Sequence, residues 1–173
     1  MKPLRPKKVK LFCGMTHRDM KEVEVILKRL EKKFGKIESI SDEFSFNFTD
    51  YYTDEIGTDL KKKFIIFRDL IDPEEIVKVK LFTNKLENKY SINGKRIFNL
   101  DPGYLNAEHL ILPSAKPRPH RVYLRKGIYA DMIYVFGKNE VFDFKHTFPD
   151  FKQDFVKKFF LELRKKYLEE IKH

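Results

Sequence analysis

The chain contains no tryptophan, one glutamine and one cysteine among its 173 residues. A lone Cys13 excludes an internal disulfide and any metal site built from several thiolates. No apolar run approaches the roughly 18–20 residues that a membrane span requires. The glycine signatures Gly-x-Gly-x-x-Gly and Gly-x4-Gly-Lys-Ser/Thr are missing, as are Gly-x-Ser-x-Gly and His-Glu-x-x-His. These absences set aside the common dinucleotide-dependent, phosphate-loop, serine-hydrolase and zinc-protease classes. Asn84-Lys85-Leu86-Glu87 offers only a faint likeness to the guanine-reading motif of GTPases, with Glu in place of its Asp. One further absence is local: no acidic residue lies between Glu108 and Asp131.

What is present is basic and aromatic. Lys and Arg number 36 against 26 Asp and Glu, a formal charge of +10, and there are 17 Phe and 8 Tyr. Such a charge favours nucleic acid or other polyanions. Composition offers a competing source, because an AT-rich genome inflates Lys, Phe, Ile and Asn, and a hot habitat favours Lys and Glu while depleting Gln. Position says more than the total: Lys2, Arg5, Lys7, Lys8, Lys10 and Arg18 occur in the first eighteen residues with no acid among them. The length and the 42% hydrophobic content predict one folded domain over 1–173. The basic start leads into a strand pattern without a signal-like apolar region, which predicts a cytoplasmic protein.

Val9, Leu11, Cys13 and Met15 alternate with Lys8, Lys10 and Phe12 as a first strand. Val23, Ile26, Leu27, Leu30 and Phe34 fall at helical spacing, and Gly35 supplies a stop. Residues 37–48 read as extended, and Lys63 to Phe67 as a buried strand. Asp72-Pro73-Glu74-Glu75 opens a second helix with the apolar stripe Ile76, Val79, Phe82, Leu86 and Tyr90. Lys95 to Leu100 returns to strand. This order predicts an α+β fold with a ferredoxin-like βαββαβ core over about residues 7–101. Further antiparallel strands are expected at Leu110 to Leu112, Val122 to Leu124, Ile128 to Phe136 and Glu140 to Phe144. A closing helix carries Phe151, Phe155, Phe159, Leu163 and Tyr167.

Three segments could carry chemistry. In Asn99-Leu100-Asp101-Pro102-Gly103-Tyr104, the Asp-Pro-Gly unit reads as a turn whose carboxylate caps its own backbone. Alternatively, Asn99 and Asp101 project from one edge of a strand end, with Tyr104 swung back beside them. Asp101 would then serve as a general base or hold Mg²⁺. In the second segment, Lys116, Arg118, His120, Arg121, Tyr123, Arg125, Lys126 and Tyr129 follow closely on one another. Arg121, Tyr123 and Arg125 alternate onto one strand face, with Val122 and Leu124 facing the core. Guanidinium groups there match phosphate oxygens and a tyrosine stacks on a base, unless the face is merely solvated. His120, beside two arginines, is the candidate proton carrier. The third segment, Thr49 to Glu55, offers Asp50 as a second metal-binding carboxylate; capping or pairing with the basic segment is its simpler role. The expected topology places Asp50 and Asp101 at opposite ends of the sheet.

The chain resembles a prokaryotic family known as domain of unknown function 4416. The residues that carry the resemblance are Lys10 to Met15, Phe48 to Tyr52, Leu81 to Asn84, Asn99 to Leu105, His120 to Tyr123 with Gly127 to Tyr129, and Thr147 to Asp150. The recurrence of acidic-aromatic and Pro-Asp motifs among its landmarks implies a shared site without naming its chemistry. Together the residues predict a protein that binds a phosphate-bearing ligand, a nucleotide or RNA, and acts on it through Asp101 and His120. The alternatives are a non-catalytic protein- or RNA-binding adaptor, and a homodimer whose aromatic surface is subunit interface.

Overall fold

The computed structural model describes residues 1–172. Nine strands form one sheet: β1 (Val9–His17), β2 (Ile37–Ile40), β3 (Phe44–Ser45), β4 (Lys61–Ile71), β5 (Phe98–Leu105), β6 (His109–Ser114), β7 (Val122–Arg125), β8 (Ile128–Phe136) and β9 (Val141–Asp143). Three helices accompany them: α1 (Val23–Phe34), α2 (Ile76–Lys89, entered through a 3₁₀ turn at Pro73–Glu75) and α3 (Asp154–Glu170). The strand order is β2-β4-β1-β5-β6-β8-β7, with β3 added to β4 and β9 to β8. Every pairing is antiparallel, so the fold is α+β with an open antiparallel sheet. No helix among the described residues is long and apolar enough to cross a membrane.

Apolar side chains on the two faces of the sheet make two cores. Leu11, Cys13 and Met15 of β1 pack with Ile65 and Phe67 of β4 under α1 and α2. On the other face, Phe12, Phe64 and Ile66 meet Leu110, Ile133 and α3. Being covered on both faces and flanked by two strands, β1 is buried along all nine residues. Even Lys10 is only 1% exposed, its ammonium 2.7 Å from Glu170 and 3.6 Å from Glu38. Aromatic packing dominates the second core, with Phe160 centred 4.8 Å from Phe12 and 4.9 Å from Phe64.

Four local expectations change. Asp101-Pro102-Gly103 is not a turn but the middle of β5, paired with Gly14, Cys13 and Phe12 of β1. Pro102 is tolerated because β6 pairs with β5 only at Tyr104 and Leu105, leaving no ladder on that side to be interrupted. Gly103 answers to crowding: a Cβ there would lie 2.5 Å from Phe12 Cζ and 2.6 Å from Leu112 Cδ2. The closing helix buries Leu163 and Tyr167 as expected, with Phe151 just before it, but Val156 and Phe160 take the places expected for Phe155 and Phe159. Val156, Phe160, Leu163 and Tyr167 are buried, while Phe155 is 52% exposed and packs edge-on to Phe44. Val122 and Leu124 face solvent, because β7 is a short edge strand with neither face covered. The extended stretch after α1 divides into β2 and β3, both paired to β4.

Candidate functional site

The departure of β6 from β5 leaves the first part of β5 with one open edge. Side chains of α2 satisfy it. Glu87 Oε1 accepts from the Leu100 amide at 2.5 Å, and Lys80 Nζ donates to the Leu100 carbonyl at 3.3 Å. Lys80, Asn84 and Glu87 recur at helical spacing, so one face of α2 is polar while Ile76, Val79 and Leu86 enter the core. Burial raises the Glu87 pKa, although Lys80, the Leu100 amide and Arg96 all favour its charged form.

A cavity of about 680 Å³ opens beside this edge. Asn99 and Asp101 of β5, the polar face of α2 and Ser114-Ala115-Lys116 after β6 form part of its wall. Phe46, Phe48, Thr49, Tyr51 and Tyr52 contribute from one loop, and Phe148 to Phe151 from another. Thr147 fixes the latter loop by donating to the Ile133 carbonyl at 2.9 Å and accepting from the Phe144 amide at 2.9 Å. The Tyr134 hydroxyl donates to the Phe151 carbonyl.

Register and side-chain pairing hold the floor. Gly14 lies opposite Asp101 on β5 and Phe64 on β4, and its missing side chain makes room for Lys62 Cε, 3.0 Å from where a Cβ would stand. The buried Lys62 ammonium donates to Asp150 at 2.7 Å, lies 3.8 Å from Asp101 and faces the rings of Phe46, Phe64 and Phe151. Burial works against its charge, but Asp150 and Asp101 outweigh it and lift the pKa above the usual lysine value. Beside it runs a chain of charge-assisted bonds. Arg96 clasps Glu55 through Nε (2.7 Å) and Nη2 (2.6 Å), and its Nη1 donates to Asn99 Oδ1 at 2.7 Å. Asn99 in turn donates to Asp101 Oδ2 at 2.8 Å. The hydrogen bond from Arg96 holds the Glu55 carboxyl below its ordinary value, while burial, reinforced by Asp101, pushes the Tyr52 hydroxyl up.

At the rim, Lys116 Nζ touches the Tyr51 hydroxyl and lies 4.3 Å from the centre of its ring. Arg121 also lines the cavity. Its Nε donates to Asp131 Oδ2 at 2.7 Å, and its Nη1 to Ser114 Oγ and the Lys116 carbonyl at 2.8 and 2.9 Å. Arg121 therefore holds the loop after β6 against β8.

The residues singled out in the sequence fall into several places. Asn99, Asp101, Lys116 and Arg121 line the cavity together, with Arg118. Tyr104 lies outside it, packed against the first core on the opposite face of β5 from Asp101. Tyr123, Arg125, Lys126 and Tyr129 belong to the β7–β8 hairpin. There Tyr123 and Tyr129 meet edge-on, Arg125 donates to the Glu74 carbonyl, and Lys126 and Gly127 adopt the positive φ of a tight turn. Asp50 is exposed and outside the lining, but its neighbours Thr49, Tyr51 and Tyr52 share the wall with Asp101. The expected separation of that loop from Asp101 therefore fails, because the loop folds over the sheet face.

His120 lies beside Asp131 and His146 rather than Asp101. Its Nε2 is 3.5 Å from Asp131 Oδ2, His146 Nε2 is 3.4 Å from Asp131 Oδ1, and the imidazole rings stack at 4.0 Å. Among the described residues this trio is the one group of three His, Cys, Asp or Glu side chains placed to share an ion. Lys62, Lys80 and Arg96 were not among the residues singled out; Glu87 stood only in a faint GTPase likeness, and Asp150 only in the Pro-Asp landmark of the family resemblance. The polar stripe on α2 was the available signal for two of them. Cys13, by contrast, is an inert thiol, its pKa pushed up by burial.

A family model described as Domain of unknown function (DUF4416) matches residues 7–167, nearly the whole chain. No curated protein and no solved structure matches it.

Proposed function

We propose that this chain, which belongs to the DUF4416 family, binds a phosphate-bearing small molecule of nucleotide type in the cavity beside β5. The observation that carries the reading is the uneven use of charge around it. Lys62 and Arg96 are ion-paired on the floor, whereas Lys116 and Arg118 line the cavity and enter no ion pair among the described residues. Lys80 also enters no ion pair among the described residues, but it is buried and bonded to the Leu100 carbonyl. The exposed uncompensated cations are therefore Lys116 and Arg118, and over a polar floor they suit an anion. Arg121 adds a guanidinium already oriented by Asp131 and Ser114. The aromatic wall of Phe48, Tyr51 and Phe148 supplies stacking surface for a base, and Asp101, 30% exposed, supplies an acceptor for a sugar hydroxyl or ring amine. A volume of about 680 Å³ suits a ligand of that size.

The same reading takes β1, α1, β2, β4, α2 and β5 as a ferredoxin-like core in a single-domain, cytoplasmic protein. The order β2-β4-β1-β5 and the two helical crossovers support this core, with β6 to β9 as its extension. A second reading, RNA binding, is favoured by the exposed β7–β8 hairpin, where Tyr123 is 58% exposed beside Arg125 and Lys126.

Calorimetric titration with adenine and guanine nucleotides, with and without Mg²⁺, tests both. Lys116→Ala/Arg118→Ala is expected to weaken nucleotide binding at least about tenfold, in keeping with charge-assisted contacts. Arg125→Ala/Lys126→Ala is expected to leave it unchanged. Absence of nucleotide binding, together with salt-sensitive RNA binding lost in the hairpin variant, would replace the first reading by the second.

A further inference from the structure

We propose that His120, Asp131 and His146 form a binding site for a divalent first-row transition-metal ion, with Zn²⁺ as the probe. The site is separate from the phosphate reading and does not depend on it.

Topology brings these residues together. Asp131 sits within β8, whose one edge is paired to β6 with Leu112 opposite Asp131. On the other edge β7 pairs up to Ala130 and β9 from Tyr134, leaving Asp131 at the gap between them. The pairings Val122↔Ala130 and Tyr134↔Asp143, continued past the strand ends, bring the segment of His120 and Arg121 and the segment of His146 to either side of Asp131. Phe144 stacks on His146 at 5.1 Å and 10°, giving that imidazole a rigid backing.

The donor spacing suits an ion. Each imidazole Nε2 lies 3.4–3.5 Å from a different oxygen of the Asp131 carboxylate, and all the ligand atoms lie within 4.8 Å of one another. Donors around a tetrahedral ion with bonds of about 2.0–2.1 Å are separated by about 3.4 Å. The donor set of two imidazoles and one carboxylate favours zinc, iron, cobalt or nickel over magnesium or calcium.

The independent observation is an orphaned oxygen. The Asp131 side chain is 1% exposed; Oδ2 accepts from Arg121, but Oδ1 is buried with no hydrogen-bond partner among the described residues. A buried carboxylate oxygen without a partner is costly, and here it faces His146 Nε2. His146 Nε2 lies 2.9 Å from the Met132 carbonyl, so without metal it carries the proton of that bond. Binding moves this proton through solvent to Nδ1 of the same ring, frees the Nε2 lone pair for the ion, and turns the two stacked rings until their lone pairs converge. His120 and His146, with side chains 30% and 24% exposed, have room for that movement. Three protein donors leave at least one coordination position open. Arg121 bonds the same carboxylate from the cavity side, acting as an outer partner that orients it.

The test uses the full chain without an affinity tag, stripped with chelator and titrated with Zn²⁺ by calorimetry and with Co²⁺ by visible absorption, in the absence of nucleotide. One ion per chain is expected, with tetrahedral or five-coordinate Co²⁺ bands. His120→Gln and Asp131→Asn are each expected to weaken binding at least about 100-fold, since loss of an outer partner already costs 10–100-fold. Asp131→Asn leaves Arg121 without its charge partner and is judged only if its circular dichroism matches wild type. His120→Gln, at the most exposed of the three side chains, serves as the variant that folds. Absence of stoichiometric binding, or binding unchanged in His120→Gln, overturns the site. Failure here leaves nucleotide affinity untouched, so the two readings fall separately.

Discussion

Lys62→Met is the sharpest test of how the cavity floor is built. The substitution keeps the length and apolar stem of the side chain and removes its charge. Asp150, whose side chain is 4% exposed, then loses a partner 2.7 Å away, whereas Asp101 is 30% exposed and remains partly hydrated. The cost therefore falls chiefly on Asp150. Breaking one side of a buried ion pair costs about 3–5 kcal/mol, because the remaining charge is uncompensated. Loss of the ammonium facing Phe46, Phe64 and Phe151 adds to this, but sulfur–aromatic contacts of the methionine offset part of that loss. A net loss of about 3–5 kcal/mol is expected in urea denaturation. At about 2–4 °C per kcal/mol for a chain of this size, melting falls by roughly 6–20 °C. Adding Asp150→Asn is expected to recover part of the loss, as a coupled pair requires. The Lys62 pKa is raised above its ordinary 10.5. The pair's stabilisation is accordingly complete below that pH and disappears as pH rises through the higher folded value. Wild type and Lys62→Met should therefore converge in strong alkali. A single variant within about 1 kcal/mol of wild type, or a double variant no more stable than Lys62→Met, would refute the reasoning.

Two further predictions concern β5. Gly103→Ala, which brings a Cβ within 2.8 Å of the Ile111 carbonyl as well as against Phe12 and Leu112, is expected to cost about 1–3 kcal/mol by overpacking, read as a lower melting temperature. Glu87→Gln retains an acceptor for the Leu100 amide but removes a carboxyl whose pKa burial raises above 4.5. Between pH 4.5 and that raised value the folded protein holds a proton that the unfolded chain has released, so wild-type stability declines with rising pH. Denaturation across this range should show a flatter slope for Glu87→Gln.

The elements themselves were legible because their periodicity is strong. The β1 alternation, the helical spacing of α1 ended by Gly35 and the Asp-Pro-Glu-Glu entry to α2 all have local causes. What misled was local chemistry overridden by packing. Asp-Pro-Gly is a turn signal in isolation, but β1 pairs with all three residues and crowding by Phe12 and Leu112 dictates the glycine. Likewise, alternation predicted an inward Val122 and Leu124, yet alternation cannot say whether a strand lies at an edge. On α3 the aromatic spacing of Phe155 and Phe159 concealed the slightly rotated stripe through Val156 and Phe160 that meets the core.

The candidate site shows the same division between near and distant in sequence. Its rim was visible as a dense basic run, because Lys116, Arg118 and Arg121 are close neighbours in the chain. Its floor was not, because Lys62, Lys80, Glu87, Arg96 and Asp150 meet only after β1 has brought β4 and β5 to its two sides and α2 has covered the open edge of β5. Those distant residues change the meaning of the basic run. Ion pairing on the floor uses Lys62 and Arg96 to fix Asp150, Glu55 and Asn99 in place, and Asp131 fixes Arg121 in the wall. With Lys80 buried against the Leu100 carbonyl, the exposed unpaired charge available to a ligand is thereby concentrated at Lys116 and Arg118, over an aromatic wall and a partly exposed Asp101. An anion with a hydrogen-bonding, planar remainder satisfies all three features at once, whereas inorganic phosphate alone leaves the aromatic wall and Asp101 without a partner.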